Sequence, residues 1–413
     1  MTALPVAVIL GGGLAGHRAA KALRQAEFDG DIIIIDAEPV RPYDRTFLSK
    51  AFLQGTKQSG DLFFESEDEY ADWEIDLLTG TRATAVDFAA RRLTLDSGDT
   101  LGFDQLLIAT GASPIRLRQP GFDLPGVHYL RTLADAQALQ AGITGGTRVV
   151  VVGASFIGSE VAASARMLGA DVTLVDPVSA PMASALGEEI GRIFAGIHQE
   201  HGVDLRMGTR VVELRGHGRV EEAVTAEGER IPCDLVVVGV GVRPETGLFA
   251  GTGLEIDNGI VVDQFCATNI PGVYAAGDVA NWWHPARERR IRVEHFDNAA
   301  LQGTAAGRAM AGQPEAHAPV PYFWTDQYDV NLQYAGFPGS VENIVLRGDP
   351  GAVSVTAFYL TGGQIQAVAT VNQSRDLRPA RQLIEAGARV DPAVLTDPKT
   401  DLRALAKQFR PAK

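Results

Sequence analysis

Two stretches of the chain follow one hydrophobic pattern. In the first, the apolar run "VAVIL" (Val6–Leu10) meets three glycines, helical spacing follows in "HRAAKALRQ", and a second run, "DIIIID", ends on Asp36. In the second, "RVVVV" meets Gly153, "GSEVAASARML" reads as helix, and "DVTLVD" ends on Asp176. Unbroken apolar runs of this length are strands covered on both faces, and a strand–helix–strand order puts them in a parallel sheet. Two later stretches, "FDQLLIATGASP" (103–114) and "CDLVVVGVGVRPE" (233–245), each read as a buried strand ending in a small-residue turn. "CATNIPGVYAAGDVA" adds a strand that ends at Gly277 and Asp278.

The turns carry chemistry. Gly11, Gly13 and Gly16 satisfy GxGxxG, and Asp36 lies 20 residues beyond Gly16. Gly11 permits the tight turn, Gly13 lets backbone approach a pyrophosphate, and Gly16 lets helix pack on strand. The helix N-terminus offers N–H groups and partial positive charge to phosphates. Asp36 can accept from ribose hydroxyls, with Glu38 as second choice. In the second copy Gly153 and Gly158 keep the outer positions, and Ser155 takes the middle one. Asp176 favours an unphosphorylated ribose, so NADH is expected over NADPH, whose 2′-phosphate an acid repels. Asp278, at a strand's carboxyl end, can hold a ribityl hydroxyl. A single such motif is also what a βα turn that binds nothing looks like; two in one chain point to FAD plus a nicotinamide. The fold class predicted is α/β, with two nested Rossmann-like dinucleotide-binding domains, the first interrupted near residue 114 and resumed near 245.

Bulk properties restrict the rest. At 413 residues the chain is too long for one ordinary core. No apolar run is long enough to span a bilayer, and the N-terminal stretch has no export pattern, so a cytoplasmic protein is expected. A net charge of −14 argues against nucleic acid. Cys233 and Cys266 are the only cysteines, and no CxxC, CxxxxC or Cys/His cluster occurs, so no metal is expected.

In this combination the chain resembles the FAD-dependent ferredoxin reductases that feed bacterial ring-hydroxylating dioxygenases and cytochromes P450. The resemblance rests on GGGLAG, PYDRTFLSK, ATGASP, LRTLADA, GASFIGSE, VVVGVGVRP, VYAAGDV, FWTDQYDVNLQYAG and DPKTDLRALAK, in the family's order from end to end. It implies FAD contacts at Gly11, Gly13, Ala15, Gly16, Asp36, Glu38, Arg45, Lys50, Ala83, Thr110, Gly111, Arg131, Gly277, Asp278, Phe296 and Trp324. For NADH it implies Gly153, Ile157, Gly158, Glu160, Asp176 and Gly241. It also implies an FAD-binding domain over 1–113 and 245–321, an NADH-binding domain over 114–244, and a small α+β C-terminal domain over 322–413.

The family placement brings Lys50 and Glu160 to the flavin as an ion pair, the two residues expected to serve catalysis. Relatives that use a thiol relay need a cysteine early in the chain, and here the first is Cys233. Electrons are therefore expected to leave FAD directly for a [2Fe-2S] ferredoxin. Such carriers are usually acidic, so docking calls for local basic areas: Arg287, Arg289, Arg290 and Arg292 form one candidate, and Arg375, Arg378 and Arg381 another. Two alternatives stay open: an apoptosis-inducing-factor-like flavoprotein with slow NADH chemistry, and a direct reductase of quinone, ascorbyl radical or dioxygen.

Overall fold

The computed structural model describes residues 4–337, 339 and 341–409. The chain divides into two compact units. The first takes in the chain up to Arg45, Ser59–Ser113 and Val242–Pro319; the second takes in Thr46–Gln58, Pro114–Gly241 and the chain from Val320 onward.

The first unit is centred on a parallel five-stranded sheet. Its strands run in the order Val273–Ala275, Gln105–Ile108, Val6–Leu10, Asp31–Asp36, Ile75–Thr79. Ala7, Val8, Ile9, Ile32 and Ile34 are fully buried in it, as the unbroken runs require. The helix Leu14–Gln25 buries an alanine-rich face, Ala15, Ala19, Ala20 and Ala22. Against it lies the helix Phe296–Met310 with its own small residues inward. A Cβ at Gly303 would sit 2.3 Å from the Ala15 carbonyl oxygen, and one at Gly307 would sit 2.4 Å from that of Ala19. The two helices approach this closely only because glycine leaves the space.

The second unit repeats the plan. Its parallel sheet runs Asp204–Met207, Asp171–Asp176, Arg148–Val152, Leu235–Val238, Val127–Tyr129. In both units the first strand of the glycine motif is central, and a three-stranded antiparallel sheet is inserted before the fourth strand. That sheet is Ala83–Asp87, Arg92–Leu95, Thr100–Gly102 in one unit and Val211–Arg215, Glu222–Thr225, Arg230–Pro232 in the other. The copies differ at one edge. The outer strand beside the fourth comes late in the chain in the first unit and early in the second, which is how one fold comes to be nested in the other.

The second unit also holds an antiparallel sheet of order Tyr322–Gln327, Val330–Gly336, Gln364–Val371, Ser354–Thr361, Asn343–Asp349. Its inner face shares one core with the helix Ala183–Glu200, joining Leu186, Ile190 and Phe194 to Val355, Ala357 and Ala369. Tyr359 donates its hydroxyl to the Leu186 carbonyl at 2.7 Å. Segment Thr46–Gln58 belongs to this unit because Leu53 is buried among Val149, Val161 and Leu174. The Gln140 side chain also donates to the Phe52 carbonyl at 2.5 Å.

The close helix pair generates a prediction. Gly303→Ala is expected to lower stability by about 1–3 kcal/mol through overpacking. Urea denaturation followed by circular dichroism checks it, and an unchanged midpoint would mean that the helices part at no cost.

Candidate active site

The two glycine loops have the same geometry. Gly11 and Gly153 take φ +118° and +103°, a region that favours glycine. A Cβ at Gly16 would lie 2.0 Å from the Gly11 carbonyl oxygen, and one at Gly158 would lie 1.9 Å from that of Gly153. Asp36 accepts N–H bonds from Gly12 at 2.7 Å and Glu38 at 2.9 Å. Asp176 accepts from Ala154 at 2.6 Å and Val178 at 2.9 Å. Each acid therefore braces the loop across the strand end before it meets any ligand. Burial raises the Asp36 pKa above the usual carboxylate value, opposed by the two backbone N–H bonds and by Arg45.

The middle positions differ. Nothing lies within 4 Å of a Cβ placed at Gly13, so the loop there faces open space. At Ser155 the hydroxyl donates to the Gly239 carbonyl at 3.0 Å, the same carbonyl that a Cβ at Gly153 would meet at 2.4 Å. Beside the first loop, Gly277 has φ +81°, and a Cβ on it would be 3.0 Å from the Ala15 Cβ. The Gly277 N–H donates to Gln302 at 2.9 Å. Glu38 accepts from the Tyr43 hydroxyl at 2.7 Å and pairs with Arg45 at 2.5 Å.

Within the second unit a carboxylate gathers three donors. Glu160, buried in the helix Phe156–Met167, accepts from Lys50 Nζ at 2.9 Å and from Ser49 Oγ at 2.5 Å on one oxygen. Its other oxygen accepts from Thr325 Oγ1 at 2.8 Å. Ser164, one turn along the helix, donates to the Ser49 carbonyl at 2.7 Å, and Gln54 donates to the Ser164 hydroxyl at 2.9 Å. A buried carboxylate stripped of one such partner costs about 3–5 kcal/mol, so the three donors are what keeps it here.

A family profile described as pyridine nucleotide-disulphide oxidoreductase matches residues 6–303, and one described as reductase C-terminal matches residues 322–406. The anthranilate 1,2-dioxygenase system ferredoxin–NAD(+) reductase component of Burkholderia cepacia is 40% identical over 400 residues, covering 96% of this chain and 98% of that one. Rhodocoxin reductase of Rhodococcus erythropolis is 37% identical over 397 residues, covering 96% and 93%. Among solved structures, the covalent putidaredoxin reductase–putidaredoxin complex superposes with TM-score 0.95 at 32% identity, over 98% of this chain and 100% of that one. A ferredoxin reductase from Rhodopseudomonas palustris does so with TM-score 0.94 at 35% identity, over 97% and 99%. This chain belongs to the FAD-dependent ferredoxin reductase family.

The reductase is thus an oxidoreductase that uses FAD and a pyridine nucleotide. Its twin loops fit such ligands, with open space at Gly13 and helix N-termini behind both turns. The residues singled out in the sequence fall into two sets. Gly11, Gly13, Ala15, Gly16, Asp36, Glu38, Arg45, Ala83, Thr110, Gly111, Gly277, Asp278 and Phe296 lie in the first unit. Lys50, Arg131, Gly153, Ile157, Gly158, Glu160, Asp176, Gly241 and Trp324 lie in the second. Thr110 donates to the Glu245 carbonyl at 2.8 Å, and Gly111 and Gly241 take φ +70° and +106° in the turns after the fourth strands. Arg131 precedes the helix Leu133–Gly142, and Trp324 stacks on Tyr322 with ring centroids 6.1 Å apart. Ser49 and Thr325 were not singled out in the sequence. A serine beside a lysine and a threonine in a strand carry no signal of a partner more than a hundred residues away.

The reductase's thiols stand apart from this chemistry. Both cysteines are buried. Burial pushes the Cys233 thiol up to about 12 and the Cys266 thiol higher still. Among the described residues no group of His, Cys, Asp and Glu is arranged to hold a metal, and no helix is long and apolar enough to cross a membrane. Since the thiolate is the reactive form, neither cysteine is expected to react with a disulfide reagent at pH 8 in the native protein, and both are expected to react after denaturation. Release of thionitrobenzoate measures this, and one fast equivalent from native protein would contradict it.

Proposed function

We propose that this reductase oxidises NADH and passes the electrons singly to a [2Fe-2S] ferredoxin that supplies an oxygenase or a cytochrome P450. The observation that carries the reading is likeness over the whole chain to a ferredoxin–NAD(+) reductase component, covering 96% of this chain and 98% of that one. The burial of both cysteines supports it, because neither is placed to relay electrons through sulfur. In this reading residues 1–113 and 245–321 bind FAD, 114–244 bind NADH and 322–413 form the C-terminal domain.

Bound FAD would supply the two-electron acceptance of hydride and the one-electron release. The protein's part is to bind, orient and supply fixed charge. The Gly11–Gly16 loop and its helix would hold the pyrophosphate of FAD, Asp36 would accept from its ribose, and Gly277 and Asp278 would serve the same nucleotide. The Gly153–Gly158 loop and Asp176 would do the same for NADH. Val178 stands two residues beyond that acid, and Asp176 disfavours a 2′-phosphate, so NADH is preferred to NADPH. Lys50 supplies a fixed ammonium at the redox centre, and its pairing with Glu160 offsets the cost of burying it. No side chain needs to act as acid or base in the hydride step.

For docking an acidic carrier, the candidate arginines are not equivalent. Arg290 donates to the Val262 carbonyl at 2.7 Å, Arg292 pairs with Glu294 at 2.6 Å, and Arg381 pairs with Glu385 at 3.4 Å. Arg289, Arg290, Arg375 and Arg378 are exposed. We assign the encounter to one of the two sets, Arg287, Arg289, Arg290 and Arg292 in the first unit or Arg375, Arg378 and Arg381 in the second.

The deciding experiment is cytochrome c reduction by NADH with and without a [2Fe-2S] ferredoxin: a large ferredoxin-dependent rate is expected, and equal rates would sink the reading. Lys50→Ala is expected to slow NADH-driven flavin bleaching by roughly 100–1000-fold, the scale of losing one preorganised donor. Dithionite should still bleach the variant normally; a wild-type rate with NADH would remove Lys50 from the mechanism. Turnover with ferredoxin should fall as salt rises from low to moderate strength, because screening weakens a steered encounter. A flat salt profile would exclude the arginines as a docking surface.

A further inference from the structure

We propose that Thr325 and Ser49 are positioning residues, which together hold the Glu160 carboxylate in the one orientation that fixes the Lys50 ammonium. The inference rests on the reading of Lys50 as the cation at the redox centre.

The geometry is specific. One ammonium on one carboxylate oxygen leaves the other oxygen free to turn. Here Ser49 Oγ and Lys50 Nζ reach the same oxygen from adjacent residues of one segment, at 2.5 and 2.9 Å. Thr325 Oγ1 takes the opposite oxygen at 2.8 Å from a different element, the strand Tyr322–Gln327. Donors arriving from two elements fix the plane of the carboxylate.

Both hydroxyls are themselves held. The Ser49 carbonyl is bonded by Ser164, which Gln54 bonds in turn. Thr325 Oγ1 accepts from Gln327 Nε2 at 3.3 Å, so its single hydrogen is left to point at Glu160. Strand alternation sends Phe323 and Thr325 to the face that meets the helix Phe156–Met167, and Trp324 to the other. Phe323 packs edge-on against Phe156 with centroids 4.7 Å apart. Thr325 is fully buried on this face. Valine has nearly the same shape but lacks the hydroxyl, which donates to the Glu160 carboxylate and accepts from Gln327.

The test compares Thr325→Val, Thr325→Ser and Ser49→Ala in the flavin-loaded protein. Stopped-flow bleaching by NADH should slow about tenfold in Thr325→Val, within what a small misplacement of a catalytic group produces. The KM for NADH and the rate with dithionite should not change, and Thr325→Ser should restore the wild-type rate. A second readout does not depend on turnover: acetylation of Lys50 by acetic anhydride, measured by peptide mapping against the exposed Lys399. Lys50 should be protected in the wild type and in Thr325→Ser, and labelled several-fold faster in Thr325→Val and Ser49→Ala. Unchanged Lys50 labelling in both of these variants overturns the proposal whatever the rates. A wild-type bleaching rate in Lys50→Ala would overturn the underlying role of Lys50 instead, and the labelling would still decide whether Thr325 and Ser49 hold it.

Discussion

The second unit is organised around one buried carboxylate. Glu160 draws its three donors from two places, the segment Thr46–Gln58 and the strand Tyr322–Gln327, both brought to the helix that carries it. A charge with so little exposure is tolerable only when its lone pairs are filled, and each donor must be held by its own local structure. That demand accounts for details that look incidental alone, such as Ser164 facing the Ser49 carbonyl, or a fully buried threonine in the strand. The apolar clusters around it do the bulk of the stabilising.

Most of the fold was legible in the sequence because it was written twice. Apolar runs, a glycine turn and a terminal aspartate predicted both parallel sheets, and both are present with the motif strand at the centre. The echo between the stretches at 103–114 and 233–245 is matched by strands Gln105–Ile108 and Leu235–Val238 in equivalent places. The late edge strand of the first sheet was legible as the strand ending at Gly277; what periodicity did not convey was that Val127–Tyr129, ahead of the second motif, forms the edge of the other sheet. Apolar strands look alike, so register and neighbour cannot be read from them.

The site was legible unevenly, for physical reasons. Gly11, Gly16, Gly153 and Gly158 announced themselves, because their carbonyl contacts admit no side chain and no other residue fits. Lys50 was traced through the strand it follows, whereas the segment around it is anchored in the second unit by Leu53 and Gln54. A short polar loop with one buried leucine gives no sign of which sheet the leucine enters. Arg45 and Glu38 were each read as ligand contacts, yet they hold one another with Tyr43 between them. Opposite charges seven residues apart in a loop reveal a pair only once the loop's path is known.

The duplication also exposes where the two loops part. Both aspartates spend two lone pairs on backbone N–H groups, which pins the turn and leaves the remaining lone pairs for a ribose. Two residues beyond, the first loop carries Glu38, closed by Tyr43 and Arg45, and the second carries Val178. In the middle of the turn the first has open space at Gly13, while the second has a serine folded onto the Gly239 carbonyl. The frame common to both suits any dinucleotide. The differences lie in the middle of the turn and two residues beyond the aspartate. Since the braces are the same, the two loops differ in those few residues, Ser155 and Val178 in one and Gly13 and Glu38 in the other, and not in the parallel pairing of the strands behind them.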